Sequence, residues 1–236
     1  MHGNKGMSQN LHHYRKSYQK GALRKQDTAA DPFDQFTLWF DALKSLELDI
    51  EINAMHCTTL DAEGFPRTRV VLLKSFDRQG FQFFTNYSSQ KGQDITRHSK
   101  VSLSFFWPDV ERQVHIKGTA ERLTKEESDA YFAVRPRGSQ IGAHVSDQSS
   151  VIESREYLEQ RLADIESLYE NREIPRPDHW GGFRVIPEEY EFWQGRENRL
   201  HDRLRYIPVT TTETKTEIQA QNKTAYVSWI IERLAP

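Results

Sequence analysis

The 236-residue sequence contains one cysteine, Cys57. A single thiol excludes an internal disulfide framework and suits a reducing compartment. Asn86-Tyr-Ser and Asn222-Lys-Thr therefore read as chance matches, not glycosylation sites. No apolar run approaches the roughly 18 residues of a membrane-spanning helix. The opening MHGNKGMSQN also has no apolar stretch of the kind found in a signal peptide. A cytoplasmic protein without a membrane partner is the expectation. Charge of one sign is missing too, since 32 Lys and Arg against 34 Asp and Glu leave a net charge of −2. That is too little for a self-repelling disordered chain. The common catalytic signatures are absent: there is no G-x-G-x-x-G, P-loop, H-E-x-x-H, C-x-x-C or G-x-S-x-G. The nine histidines form no closed ligand set, so no bound metal is expected.

What is present is enough to fold. Leu, Ile, Val and Phe together number 54 of 236, above the roughly 20% below which chains stay disordered. The 13 Phe, 9 Tyr and 5 Trp supply a core. Charge is unevenly placed: Lys5, Arg15, Lys16, Lys20, Arg24 and Lys25 face only Asp27 within residues 1–30. A basic arm of this kind suits nucleic acid, but the rest of the chain must then carry −7 (−2 minus +5). That balance argues against a nucleic-acid surface and for a small anionic ligand. Arg outnumbers Lys by 20 to 12, and planar guanidinium groups suit phosphate. The expected organisation is a mobile arm over 1–30 and a single domain over 31–236.

Asp31-Pro32 reads as a helix cap with proline at the first position, and Phe33, Phe36, Phe40, Leu43 and Leu46 follow at helical spacing. Strand-like runs cover Ala54–Leu60, Thr68–Phe76, Phe81–Asn86, Val101–Trp107 and Gln113–Leu123. A short helix is expected from Ser89 to His98. Thr124-Lys-Glu-Glu127 is a capping box whose helix should stop before Pro136. Ser150-Val-Ile-Glu153 is read as another, with Leu158, Leu162, Ile165 and Leu168 on the apolar side of its helix. Strands resume at Gly182–Ile186, Tyr190–Gln194 and Arg203–Ile207, and a polar 209–224 loop precedes a last strand, Ala225–Arg233. Hairpin-ordered strands with interposed helices make an α+β fold around an antiparallel sheet or barrel.

Three groups of side chains carry possible chemistry. Arg69 and Lys74 end a very apolar run. Five residues apart on a regular strand they face opposite ways, so they meet one ligand only through a bulge, a strand end or a ligand that wraps the edge. Tyr131 and Arg135 share a helix face, with Ser139 in the loop beyond, and these three suit a phosphate; the alternative is an Arg that merely complements the helix dipole. If the chain is extended from Arg199 to Arg203, then Arg199, His201 and Arg203 share a face. Their mutual repulsion asks for an anion, and a solvated edge strand explains the flanking Trp193 poorly. Cys57 reads as a core thiol.

The segments RVVLLK (Arg69–Lys74), FFTN (Phe83–Asn86), RQVHIKG (Arg112–Gly118), YFAVRPRGSQIGA (Tyr131–Ala143), QSS (Gln148–Ser150), FWQG (Phe192–Gly195), RLHDR (Arg199–Arg203) and RLAP (Arg233–Pro236) occur in one order. Together they resemble the pyridoxine/pyridoxamine 5′-phosphate oxidase family. The resemblance implies a Greek-key-like antiparallel split β-barrel with flanking helices, holding FMN non-covalently at the interface of a homodimer. It implies oxidation of pyridoxamine or pyridoxine 5′-phosphate to pyridoxal 5′-phosphate by O2, releasing H2O2 and, from the amine, ammonia. Cofactor positions are implied at Arg69, Val70, Val71, Leu72, Leu73, Lys74, Phe84, Thr85, Gln90, Lys91, Gln113, Gln148, Ser149, Trp193 and Arg203. Substrate positions are implied at Arg15, Tyr18, Lys74, Tyr131, Arg135, Ser139, Arg199 and His201, with Arg199 and His201 nearest the chemistry. Gln90 departs from the pattern, which usually has an Arg before the matched Lys. Two other functions fit the same motifs: an FMN-dependent reductase of another planar substrate, and a carrier of flavin or pyridoxal phosphate without turnover.

Overall fold

The computed structural model describes residues 10–209 and 228–236. Asp31 caps helix α1 (Pro32–Lys44) by accepting from the Phe33 N–H, with Pro32 at the first helical position. One face of α1, bearing Phe36, Trp39, Phe40 and Leu43, is buried. Phe36 meets Phe76, Phe81 and Phe105 at ring distances of 5.0–5.1 Å. The helix thus fills the inside of the sheet.

Among the described residues nine strands form that sheet, and every pairing is antiparallel. They are β1 (Ala54–Leu60), β2 (Pro66–Leu72), β3 (Ser75–Asp77), β4 (Gly80–Asn86), β5 (Lys100–Trp107), β6 (Arg112–Arg122), β7 (Trp180–Gln194), β8 (Asp202–Pro208) and β9 (Trp229–Leu234). The path runs β2-β1-β5-β6-β7-β4-β3, with β8 beside β7 and β9 beside β8. Alternation sorts the two faces. Met55, Cys57, Leu103, Phe105, Val114, Ile116, Tyr190, Phe192, Leu204 and Tyr206 point inward and are buried. The outer face carries partly exposed polar residues such as Gln113, His115, Glu191, Arg203 and Arg205. This is the expected α+β antiparallel split barrel with helices on its flanks. Among the described residues no helix is long and apolar enough to cross a membrane.

Several boundaries differ from the sequence pattern, each for a local reason. The run Thr68–Phe76 is not one strand, because β2 stops at Leu72 and β3 starts at Ser75. Leu73 turns into the core and donates its N–H to Asn53 O, while Lys74 N–H donates to Gln82 O. Gly182–Ile186 and Tyr190–Gln194 are parts of the single strand β7. Pro187, which has no N–H to give, is tolerated where the register against β6 shifts between Lys117 and Gly118. A side chain at Gly118 would lie 2.2 Å from Ile186 O, so the two strands approach closely there.

The helices show similar shifts. Helix α2 (Gln90–Arg97) and helix α3 (Lys125–Ala133), with its Thr124–Glu127 capping box, form as expected. Arg137–Val145 is a further helix, α4, and Ser139 lies inside it rather than in a loop. Pro136 precedes it at the capping position, where its missing N–H is harmless. Helix α5 (Arg155–Leu168) is capped by Ser154, not Ser150. Its Leu162 and Leu168 are exposed, and Leu158 and Ile165 alone of the four expected residues pack on the small cluster around Phe132, Ile141 and Trp180. Most of the expected 209–224 loop, and Ala225–Val227 of the expected last strand, lie outside the described residues.

Phe36 is fully buried among five aromatic neighbours. Phe36→Ala should therefore cost about 3–5 kcal/mol, the range for a large core truncation. The check is the denaturant midpoint at unchanged m-value. A loss below about 1 kcal/mol would mean that α1 does not plug the barrel.

Candidate functional site

The break after β2 carries Lys74 around the sheet edge, into a cleft of about 650 Å³ between the sheet and helices α2, α3 and α4. Val70, Val71, Leu72, Phe84, Thr85, Lys91, Tyr131, Arg135, Ser139 and Gln148 also line it. The strand end brings Lys74 into the cleft without Arg69, so these two cations do not meet one ligand there.

Lys91 stands in the first turn of α2, whose cap Ser89 accepts from the Gly92 N–H. Gly92 lets the turn close, since a Cβ there would sit 2.2 Å from Tyr87 O. Lys91 Nζ donates to Gln148 Oε1 at 2.7 Å, Thr85 Oγ1 at 2.9 Å and Ser89 Oγ at 3.3 Å. These partners are neutral oxygens, and no carboxylate among the described residues pairs with it. Burial, and secondarily the Arg69 charge, pull the Lys91 ammonium down to about 8.

Arg135 forms the second cation site. Its guanidinium lies 4.3 Å from the Trp180 ring, over a stack in which Tyr131 sits 3.9 Å from Phe84 and Phe84 5.5 Å from Trp180. Its Nη1 is buried with no hydrogen-bond partner. Burial lowers its pKa. Two cations without counter-charge, one with an orphaned donor, fit ligands that bring phosphate oxygens.

Some expected cofactor positions lie outside this cleft. Arg69 is directed behind it, donating to Thr59 Oγ1 at 2.7 Å and Cys57 O at 3.1 Å, with Asp94 at 3.7 Å. Leu73 is in the core. The Gln90 amide faces away and donates to Asp94 Oδ1 at 2.9 Å. Ser149 is beside Gln148 in the left-handed region, at φ 75°. Burial pushes the Cys57 thiol up to about 11, as an inert core thiol requires.

The remaining residues gather elsewhere. Gln113, Trp193 and Arg203 are cross-strand neighbours on β6, β7 and β8. The expected shared face of Arg199, His201 and Arg203 does not form. Glu197–Arg199 makes a helical turn, with Asn198 and Arg199 at φ 55° and 61°, and β8 starts only at Asp202. Arg203 needs no external anion, because Glu191 accepts from its Nε and Nη2 at 2.8 and 3.1 Å. Sequence reading missed Glu191; only the β7–β8 pairing brings it to Arg203. Residues 14–18 and the 196–201 turn enclose a second hollow of about 460 Å³ that holds Arg15, Tyr18, Arg199 and His201. The His201 ring is 4.7 Å from Trp193 and 5.8 Å from Tyr18. Its Nδ1 accepts from the Arg196 N–H at 3.1 Å, which places the ring hydrogen on Nε2. Burial first, then the Arg199 charge, hold its pKa below the ordinary histidine value.

Solved structures define the class. PhzG from Burkholderia lata 383, in complex with tetrahydrophenazine-1-carboxylic acid, is similar at a TM-score of 0.78 and 26% identity, covering 91% of this chain and 98% of that one. A pyridoxamine 5′-phosphate oxidase-related, FMN binding protein from Nostoc punctiforme shares the fold at a TM-score of 0.64 and 12% identity, over 87% and 98% of the two chains. The protein is a split barrel of this class. The model of the family described as pyridoxamine 5′-phosphate oxidase matches residues 43–169, and that of the pyridoxine 5′-phosphate oxidase C-terminal dimerisation region matches residues 180–236. Relatives named pyridoxine/pyridoxamine 5′-phosphate oxidase, from Christiangramia forsetii and Gloeothece citriformis, are 46% and 48% identical over 98% of this chain and all of each relative. The chain belongs to the pyridoxine/pyridoxamine 5′-phosphate oxidase family.

The lowered Lys91 pKa gives a signed expectation. The charged form binds an anion, so affinity of the ligand-free protein for sulfate, whose own charge is constant over this range, should be flat below about 8. Above that value it should fall, approaching tenfold per pH unit as deprotonation competes. Titration calorimetry across pH 7–10 checks this, and Lys91→Met should bind weakly with the slope removed. A slope that survives in Lys91→Met would assign it to another group.

Proposed function

We propose that the protein is an FMN-dependent oxidase that converts pyridoxamine and pyridoxine 5′-phosphate to pyridoxal 5′-phosphate in the cytoplasm, in vitamin B6 synthesis and salvage. The observation that carries this reading is the pair of cations in one cleft, buried Lys91 and half-buried Arg135, neither neutralised by a carboxylate among the described residues. Two phosphate-bearing molecules, cofactor and substrate, would satisfy them. Lys91, Thr85, Gln148 and the Val70–Leu72 edge would hold FMN, with Lys74 between cofactor and substrate. Bound there, FMN would supply the redox chemistry, as two-electron acceptor from the substrate and donor to O2.

The residues of this chain supply binding and orientation. Arg135, Ser139 and Tyr131 hold the substrate phosphate. His201, neutral and with its hydrogen on Nε2, offers a donor to the substrate oxygen or nitrogen, and Arg199 adds positive charge beside it. Within one chain these two groups lie at separate hollows that share no residue. A flavin ring requires a mostly closed pocket, and a homodimer with FMN at its interface supplies one by setting His201, Arg199, Arg15, Tyr18, Gln113, Trp193 and Arg203 of one subunit over the cleft of the other. The match to a dimerisation region supports that assembly. A reductase of another planar substrate leaves the Tyr131, Arg135 and Ser139 set without purpose.

The deciding experiment is anaerobic addition of pyridoxamine 5′-phosphate to the yellow purified protein. Bleaching, and recovery of colour on admitting air, is expected; colour that persists anaerobically would mean a carrier. Arg135→Ala should lower kcat/KM for the phosphorylated substrate by about 1.5–3 kcal/mol, the range for a hydrogen bond to a charged group. The loss should fall in KM, because this contact is to a non-reacting group. A kcat defect at unchanged KM would instead move Arg135 into the chemistry.

A further inference from the structure

The segment that leads into α1 is tied down through its backbone at two carboxylates distant in sequence, and through side chains where Gln19 Nε2 donates to Glu197 Oε1 at 2.7 Å and Lys20 Nζ to Asp109 O at 2.6 Å. Gln19 N–H and Lys20 N–H both donate to Glu111 Oε2, at 2.7 and 2.9 Å. Leu23 N–H donates to Asp202 Oδ2 at 3.0 Å, and Arg233 spans Asp202 Oδ1 and Leu23 O at 2.7 and 3.0 Å. Glu111 is the last residue of the turn between β5 and β6, is 1% exposed, and has φ 56°. That left-handed region favours glycine or asparagine. A turn that needed only to bend would be well served by either. Instead it holds a buried carboxylate whose side-chain partners, among the described residues, are two amides of the arm.

The surfaces on both sides lack a Cβ where they meet. A Cβ on Gly21 of the arm would lie 2.8 Å from Gln194 Oε1, and one on Gly195 would lie 2.8 Å from Tyr18 Cγ and 3.1 Å from Glu111 Cβ. Gln194 is not free to move aside. It is fully buried, its amide donates to Val110 O and Glu111 O, and its oxygen accepts from Arg112. Directly upstream, Tyr18 stands edge-on to Trp193 at 5.7 Å and near His201 at 5.8 Å.

We propose that Glu111 is a positioning residue for the oxidation: it fixes the backbone of residues 19–20 so that Tyr18 and Arg15 close over His201 and Arg199. Glu111 itself is outside both hollows. The kinetic part of this inference rests on the oxidase reading; the clasp on the arm rests on geometry alone.

The test uses the FMN-loaded full chain and two readouts: the rate of tryptic cleavage after Arg15, Lys16 and Lys20, and KM and kcat for pyridoxamine 5′-phosphate. Glu111→Gly removes the carboxylate at a backbone conformation that glycine adopts freely. Gly21→Ala disturbs the adjoining contact of the arm with Gln194, with Glu111 intact. Glu111→Gln keeps an acceptor oxygen. Cleavage follows the population of the detached arm, so Glu111→Gly and Gly21→Ala should be cut about tenfold faster, with KM raised about fivefold or more and kcat within about twofold. Glu111→Gln should lie within about twofold of the parent in both readouts, since an amide oxygen accepts the same two N–H bonds. Unchanged cleavage in Glu111→Gly, faster cleavage at unchanged KM, or a raised KM that Gln fails to restore would each overturn the proposal. A parent protein without turnover would refute the oxidase reading, and the three cleavage rates would still decide whether Glu111 holds the arm.

Discussion

Strand β7 has to be paired on one side by two different strands, and the arrangement of the site follows from that. Its fifteen residues meet β6 along nearly their whole length. On the other side β4 covers Trp180–Val185 and β8 covers Tyr190–Gln194. Between these spans stands Pro187, without an N–H, opposite the register slip at Gly118. Helix α1 packs inside the sheet across both spans, with Phe36 against Phe81 of β4 and Trp39 against Phe192 of β7. The two ends of β7 serve different sites: Trp180 lies under Arg135, whereas Trp193 and Gln194 support His201 and the arm. A strand of that length separates its ends by roughly 45 Å when straight. Two hollows so tied to one strand are not closed over one ligand by a small movement. That separation supports the proposed reading of the hollows as half-sites that meet across a homodimer.

Ion pairing sorts the arginines and lysines by task. Arg203 with Glu191, Arg205 with Glu232, Arg233 and Arg196 with Asp202, and Arg69 near Asp94 each have a carboxylate. These groups pin strands, the arm and the back of the cleft. Lys74, Lys91, Arg135, Arg15 and Arg199 have none among the described residues, and all five line a hollow. With a net charge of only −2 on the chain, it is local pairing and not overall charge that leaves these five available.

Much of the fold was legible because its cues are local. The Asp31-Pro32 cap, the Thr124–Glu127 box and the inward alternation of Met55, Cys57, Leu103 and Phe105 are decided within a few residues. Helix α4 was not, since Pro136 and Gly138 read as loop until Pro136 is seen to stand at the cap. Ser150 and Ser154 both offer a capping oxygen, and it is Ser154 that accepts from the Tyr157 N–H. Local spacing reached only one part of the cleft, Tyr131, Arg135 and Ser139. Lys74, Thr85, Lys91, Arg135 and Gln148 come from separate segments, and only the ordered motifs of a family link them in sequence. The resemblance also marked Gln90, Arg69 and Leu73, and the structure directs those three away from the cleft. Glu191 and Glu111 carried no cue at all, because a lone glutamate acquires meaning only from the strand or arm placed against it.

Lys91 shows why the cleft is built from neutral acceptors. Threonine, serine and glutamine oxygens solvate its ammonium without cancelling the charge, and the depressed pKa records the remaining strain of burial. A carboxylate at the same place would stabilise the empty protein but would have to surrender the lysine before a phosphate could bind. It would also repel that phosphate. Neutral oxygens leave the charge unspent, so the empty site is the less stable state. A ligand that supplies the missing anion then adds to folding stability through mass action, about 2.7 kcal/mol at a hundredfold excess over its dissociation constant. Anion binding at Lys91 and the stability of the fold are therefore linked, through an ammonium that no carboxylate among the described residues neutralises.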